Sequence, residues 1–237
     1  MSQKNQYDDI IIPTYIINLE ERADRLSHIK AQFEGKNEFE LNIVKAVKHE
    51  IGAIGLWQSI TNIIRMATFR DEDVIIICED DHEFIDYSKE YLLKNIIEAY
   101  EQGACLLSGG IGGFNQMLPV ASNRWWVNAF WSTQFIVIYK RFFETILSEP
   151  FEDNDTADGK LSEMTSHKMV LYPFISVQKD FGYSDVTKSN NKNNENIKKL
   201  FENASSKIKK MAEAHCKYKE LKLKISAKNN VANNQIP

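Results

Sequence analysis

The chain is short of several things that would place it quickly. Its three cysteines (Cys78, Cys105 and Cys216) lie far apart and form no C-x-x-C pair. Two of them sit in apolar runs, where buried free thiols are expected, and a reducing cytosol suits that pattern. Long hydrophobic runs are missing. Ile10 to Ile12, Tyr15 to Ile17 and Val74 to Cys78 are strand-sized, far below the roughly 18–20 residues of a membrane span. The opening Met1-Ser2-Gln3-Lys4-Asn5-Gln6 places no apolar stretch behind a basic one, so no secretory leader is read there. No internal repeat is visible. No glycine-rich, lysine-containing loop stands near the N-terminus to hold a triphosphate, which argues against nucleotidyl transfer.

What is present fits one ordinary domain with an appendage. Of 237 residues, 43% are apolar and 26% charged, enough for a real core under a polar surface. The net charge of −4 hides an asymmetry: from Lys188 onward 12 Lys face 4 Glu, so a tail of +8 follows a body of −12. An acidic body offers no nucleic-acid surface. The composition shift divides the chain into a domain at 1–187 and a Lys/Asn-rich tail at 188–237.

Along the body, strand-like and helix-like segments alternate. Strands are predicted at 14–19, 41–47, 74–78, 104–107, 134–139 and, interrupted by Pro173, 169–177. Helices are predicted at 20–33, 57–69, 92–100 and 141–147 from apolar residues three and four apart. Gly52 and Gly55 read as a turn before the second helix. This alternation points to an α/β fold with a mainly parallel sheet flanked by helices. From Asn196, residues Ile197, Phe201, Ala204, Ile208, Met211, His215 and Tyr218 follow spacings of four and three, a coiled-coil-like seam on a basic amphipathic helix. Residues 229–237 read as disordered.

The most informative residues are Glu79-Asp80-Asp81, directly after the β-branched run Val74-Ile75-Ile76-Ile77-Cys78. In parallel α/β sheets ligands bind beyond the carboxyl ends of strands. Three adjacent acids there repel one another, and a divalent cation relieves that repulsion. Hard oxygen ligands select Mn²⁺ or Mg²⁺, shared with substrate phosphates. The competing reading is an acidic turn that merely caps a strand. His82 beside the cluster is expected in a supporting position or facing solvent.

Four patches resemble, in order, glycosyltransferase family 25, the lipopolysaccharide-type galactosyltransferases and their collagen-modifying relatives. Tyr15 to Leu26 resembles its strand followed by N-L-x-x-R-x-x-R, and Gly52 to Ser59 its G-x-x-S segment. Val74 to Asp81 resembles its strand ending in E-D-D. Tyr172-Pro173, Gln178 and Ser184-Asp185 are similar to its late Y-P…Q…S-D pattern. Leu56 and Ile60 stand where the family carries Cys and His. The resemblance implies a GT-A-like fold, a UDP-sugar donor with galactose favoured, a divalent metal and inversion at the anomeric carbon. It implies Asp81 and then Asp80 as metal ligands. Asn18, Arg22, Arg25, Glu79 and Asp80 fall on the donor side, although Arg22 and Arg25 also read as exposed helical arginines. Inversion needs a carboxylate base; Asp158, with Asp155 second, stands where the family places a late aspartate, in what otherwise reads as a solvated acidic loop.

The run Ser108-Gly109-Gly110-Ile111-Gly112-Gly113 reads as mobile backbone that a substrate approaches closely. With Trp125 or Trp126, and Trp131 following, it is the candidate acceptor site, since indole faces are good sugar platforms; core packing is the alternative for each tryptophan. For the tail, three readings stay open: attachment to the anionic inner face of a membrane carrying a lipid-linked glycan acceptor, homodimerisation through the seam, or docking on the body. A degenerate transferase serving as a carbohydrate-binding scaffold is the rival to an enzyme.

Overall fold

The computed structural model describes residues 6–182 and 197–233, with side chains through Lys224. In chain order the first elements are β1 (Ile12–Asn18), α1 (Ala23–Phe33), β2 (Phe39–Lys45), α2 (Gly52–Phe69), β3 (Val74–Glu79), β4 (His82–Phe84) and α3 (Lys89–Glu101). Six short strands follow: β5 (Leu106–Ser108), β6 (Gly113–Phe114), β7 (Met117–Pro119), β8 (Arg124–Val127), β9 (Phe130–Trp131) and β10 (Phe135–Tyr139). Then come a 3-10 turn (Lys140–Phe142), α4 (Phe143–Ser148), α5 (Ala157–Met164), β11 (Lys168–Leu171), β12 (Ser176–Gln178) and α6 (Ile197–Asn233).

Eight strands form one sheet in the order β2-β1-β3-β10-β5-β11-β8-β7. Six point one way; β10 and β8 are reversed, so the sheet is mixed and mainly parallel. Its two faces are read from period-two alternation. Tyr15, Ile17, Ile75 and Ile77 face a layer containing α2, α4, α5 and the start of α6. Ile16, Ile76 and Cys78 face α1 and α3 through Ile29, Phe33, Leu92, Leu93 and Ile96. Both faces are covered, which is why β3 is continuously apolar until Glu79. Since β1 and β3 run parallel, with Ile17 opposite Glu79, Asn18 and the acids after β3 emerge at one sheet edge. Antiparallel β10 enters the sheet from that same edge, bringing Thr133 and Gln134 beside them.

Several expectations change. Gly52 and Gly55 do not make a turn; both lie in α2. A Cβ on Gly55 would stand 2.4 Å from the Val47 carbonyl oxygen, so the glycine serves close approach of helix to backbone. Ser59 clasps the same place, its Oγ accepting from Val47 N–H at 2.8 Å and donating to the Gly55 carbonyl at 2.7 Å. The acidic stretch after α4 is not all loop: Thr156 caps α5, accepting from Gly159 N–H at 3.2 Å. The glycine run is not mobile backbone at its start. A Cβ on Gly110 would lie 2.0 Å from the Ser176 carbonyl oxygen, and Gly109 presses on Phe135 and Ile175. Helix α6 continues through Asn233, since asparagine is a mediocre helix former but not a breaker. The proposed boundary at 187/188 and the Ser184-Asp185 pair lie outside the described residues.

The seam of α6 divides. Phe201, Ala204 and Ile208 are buried in the core. Beyond Glu213 the helix is mostly exposed, with Tyr218, Leu221 and Leu223 open to solvent.

Candidate active site

At the sheet edge Asp80 is held on both oxygens. Asn18 Nδ2 donates to Oδ2 at 2.8 Å and Arg25 Nη1 donates to Oδ1 at 3.0 Å. The reach of Arg25 follows from α1, which starts five residues after β1 ends and turns the arginine back over the edge. The same guanidinium stands 3.5 Å from Asp81 Oδ2. Strand β12 pairs with β4 and sets Gln178 opposite His82, so Gln178 Nε2 donates to Asp81 Oδ2 at 2.8 Å. Lys179 N–H donates to the Asp81 carbonyl at 2.8 Å. Among the described residues, Asp81 Oδ1 is buried with no hydrogen-bond partner. Leaving a carboxylate oxygen dry and unpaired costs free energy that a cation or donor group would recover.

Glu79, at the end of β3, accepts a 2.6 Å hydrogen bond from Thr133 Oγ1. Burial pushes its carboxyl above the usual range, and the charges of Asp81, Asp80 and Asp158 push it further. Burial also raises Asp81, against the pull of Gln178 and Arg25. Arg25 therefore does not relieve the acidic edge completely.

Asp158 comes to the same place from far along the chain. It lies in the first turn of α5, Oδ2 accepting from Ser132 N–H at 3.0 Å and Oδ1 from Gly159 N–H at 2.9 Å. Ser132, the donor of the first of these bonds, has φ +88°. Glu79, Asp80, Asp81, Asp158 and Arg25 all line one cavity of about 1250 Å³. The loop Ala46 to Glu50, Gly112, Gly113, Phe114, Trp131, Gln178, Lys179, Phe181 and the first turns of α6 complete its walls. Phe181 lies between two cations, with Arg25 and Lys179 each 4.9 Å from its ring centre.

The structure thus brings together Asn18, Arg25, Glu79, Asp80, Asp81 and Asp158. Arg22 stands just before α1 and is not among the cavity-lining residues; its carbonyl accepts from Asn18 Nδ2 at 3.3 Å and from Leu26 N–H at 3.0 Å. Asp155 lies outside the cavity, because Lys160 Nζ at 2.8 Å and Glu152 N–H engage its carboxylate. Trp125 is packed in the core and Trp126 donates its Nε1–H to the Ser166 carbonyl at 2.7 Å, so neither lines the cavity. Gly110 is sealed beneath Ser176. Trp131, 47% exposed, is the tryptophan on the cavity wall. His82 does not face solvent. It is buried among Phe33, Phe84 and Phe135, with Nδ1 2.8 Å from Ser176 Oγ, and burial lowers its pKa to about 3. Sequence reasoning assigned no role to Gln178, Thr133 or the α6 wall. Gln178 belongs to the late Tyr172-Pro173…Gln178 pattern, and the wall repeats at helical spacing beside the seam.

Among the described residues no group of three or more His, Cys, Asp or Glu converges as a metal cage. One or two carboxylates is what Mg²⁺-type sites ordinarily take from protein, the rest coming from water and phosphate. The buried Asp81 Oδ1, without a partner among the described residues, and the unrelieved acids around it fit such a group.

No family model and no curated protein matches the chain. Solved structures do resemble it at low identity. A197 from STIV aligns with a TM-score of 0.48 and 14% identity over 72% of this chain and 86% of that one. A glycosyltransferase involved in the glycosylation of the major capsid of PBCV-1 aligns at 0.39 and 12% over 57% of this chain and 63% of that one. Apo UDP-glucose pyrophosphorylase aligns at 0.42 and 12% over 84% and 82%.

Proposed function

We propose that the chain is a metal-dependent GT-A-type glycosyltransferase that moves a hexose, galactose favoured, from a UDP-sugar to a surface-glycan acceptor with inversion. The observation that carries this reading is the meeting, in one cavity, of the acidic edge after β3 with Asp158, a carboxylate from a separate helix. Asp81 and Asp80 are the residues that would hold Mn²⁺ or Mg²⁺. Such an ion, when bound, would neutralise charge on the donor diphosphate and make UDP a better leaving group. Arg25 is already committed to the two aspartates, so its role is to hold them in place. Asp158 is the proposed base. Two backbone N–H groups orient it, and it takes the acceptor hydroxyl proton while the new C–O bond forms and the anomeric bond to UDP breaks.

Calorimetry with UDP, with and without Mn²⁺, tests the reading. Mn²⁺-dependent binding is expected, weakened about tenfold or more by Asp81→Asn. Asp158→Asn should retain that binding but lower turnover of the cognate UDP-hexose by about 10²–10⁴. No UDP binding under either condition would leave a scaffold protein as the better description.

A further inference from the structure

The cavity, at about 1250 Å³, exceeds the roughly 300–1,000 Å³ of common small-molecule pockets. A donor at the acidic edge therefore leaves room for a second ligand, and one wall carries none of the residues proposed to hold metal or donor. That wall is α6. The helix carries two neighbouring stripes. Phe201, Ala204 and Ile208 sink into the body, while Ile197, Leu200, Asn203 and Lys207 line the cavity. It stands on the Asp158 side. A Cβ on Gly112 would lie 2.9 Å from Ser132 Oγ, 3.7 Å from Phe201 and 3.8 Å from Leu200, and Ser132 is the residue whose N–H holds Asp158. Gly113 lets the Trp131 indole lie against the backbone of the same wall, where a Cβ would meet it at 2.6 Å.

Four cationic side chains border the cavity. Arg25 is bonded to Asp80 and close to Asp81, Lys48 pairs with Glu21, and Lys179 contacts His28 Nδ1 and the Phe181 ring. Lys207 has no hydrogen bond or ion pair among the described residues. Its cavity-side neighbours on α6 are Asn203, Ala204 and Leu200, none of them acidic. A cation at an acidic cavity, next to an apolar strip and an indole face, matches a ligand with negative charge, an apolar part and a sugar.

We propose that α6 and Trp131 form the acceptor subsite, and that it takes an acceptor bearing a phosphate or diphosphate, held by Lys207. This rests on the transferase reading of the same cavity. The phosphate has two sources, a lipid-linked glycan or a soluble sugar phosphate.

Three probes separate the outcomes: farnesyl diphosphate, farnesol and galactose 1-phosphate, titrated by tryptophan fluorescence with and without saturating UDP and Mn²⁺. Trp131→Phe identifies the responding indole. Farnesyl diphosphate should bind about tenfold more weakly to Lys207→Gln, as for a charge-assisted hydrogen bond lost, while farnesol binding is unaffected by the substitution. The same Lys207 dependence with galactose 1-phosphate in place of the lipid would support the subsite and assign it to soluble acceptors. Equal binding of both phosphate probes to the two proteins, or farnesol binding as well as its diphosphate, would overturn the subsite. The UDP titration is read separately. Lys207-dependent phosphate binding without any UDP binding would sink the transferase reading and leave the anion site standing.

Discussion

Glu79 ends its strand between a hydroxyl that bonds it and aspartates that repel it. Burial and repulsion raise its pKa in the fold above that in the unfolded chain. As pH rises through the ordinary carboxyl range, the unfolded chain releases a proton that the folded one keeps, so stability falls with rising pH. Glu79→Gln removes this penalty. With EDTA present, the variant should gain stability over wild type between pH 5 and pH 8 by about 1 kcal/mol, read from thermal melts at both values. A pH-independent difference would show that the carboxyl ionises normally. The acidic edge was legible in sequence because it interrupts the most apolar run in the chain. Asp158 was legible only together with Asp155. What separates them is Lys160, which sits two residues beyond Asp158 in α5 and turns toward Asp155, and a linear pattern does not show which of two nearby acids a lysine selects. The tryptophans were indistinct for a similar reason. Trp125 and Trp126 are adjacent in β8 and so point to opposite faces, but which face meets the core depends on pairing with β11 and β7.

Elements buried on both sides announced themselves, as with β1, β3 and β10, and so did helices with a broad apolar stripe, as with α3. The missed ones are small. α5 has eight residues, with only Ala157, Leu161 and Ser162 buried, and the hairpins from β6 to β9 have two to four residues each. Such pieces are ordered by what they pack against rather than by their own periodicity. The start of α2 was hidden because glycine is a poor helix former, and two glycines read as a turn. That misreading sets up a contest of magnitudes at Gly55. Helix propensity alone credits Gly55→Ala with about 1 kcal/mol of gain. The new Cβ would stand 2.4 Å from a backbone oxygen, where nothing flexible can give way. Overpacking of that kind costs about 1–3 kcal/mol, so net destabilisation is expected in urea melts. Because Val47 and its neighbours line the cavity, weaker UDP binding should accompany it. A stabilised variant would mean that α2 does not press on the Val47 carbonyl.

At the scale of the whole molecule, α6 is both part of the body and a projection from it. Phe201, Ala204 and Ile208 belong to the core, so a chain cut at Thr187 would lose core residues and could not report on the tail alone. A cut after Glu213 leaves them in place. Beyond it, Tyr218, Leu221 and Leu223 are 62%, 59% and 71% exposed beside Lys217, Lys219, Lys222 and Lys224. No described helix is long and apolar enough to cross a membrane, but exposed apolar side chains among lysines suit the surface of one. Lysines near an anionic bilayer contribute about 1 kcal/mol each at moderate salt. We propose that this segment rests on anionic lipid, which would hold the cavity wall formed by the same helix close to a lipid-linked acceptor. The full chain should then float with phosphatidylglycerol vesicles and not with phosphatidylcholine, and raised salt should release it. The chain ending at Glu213 should stay behind while keeping its melting behaviour. If the full chain instead ignores both vesicles and sediments as a dimer, the exposed apolar positions serve a second copy, and the membrane proposal is lost.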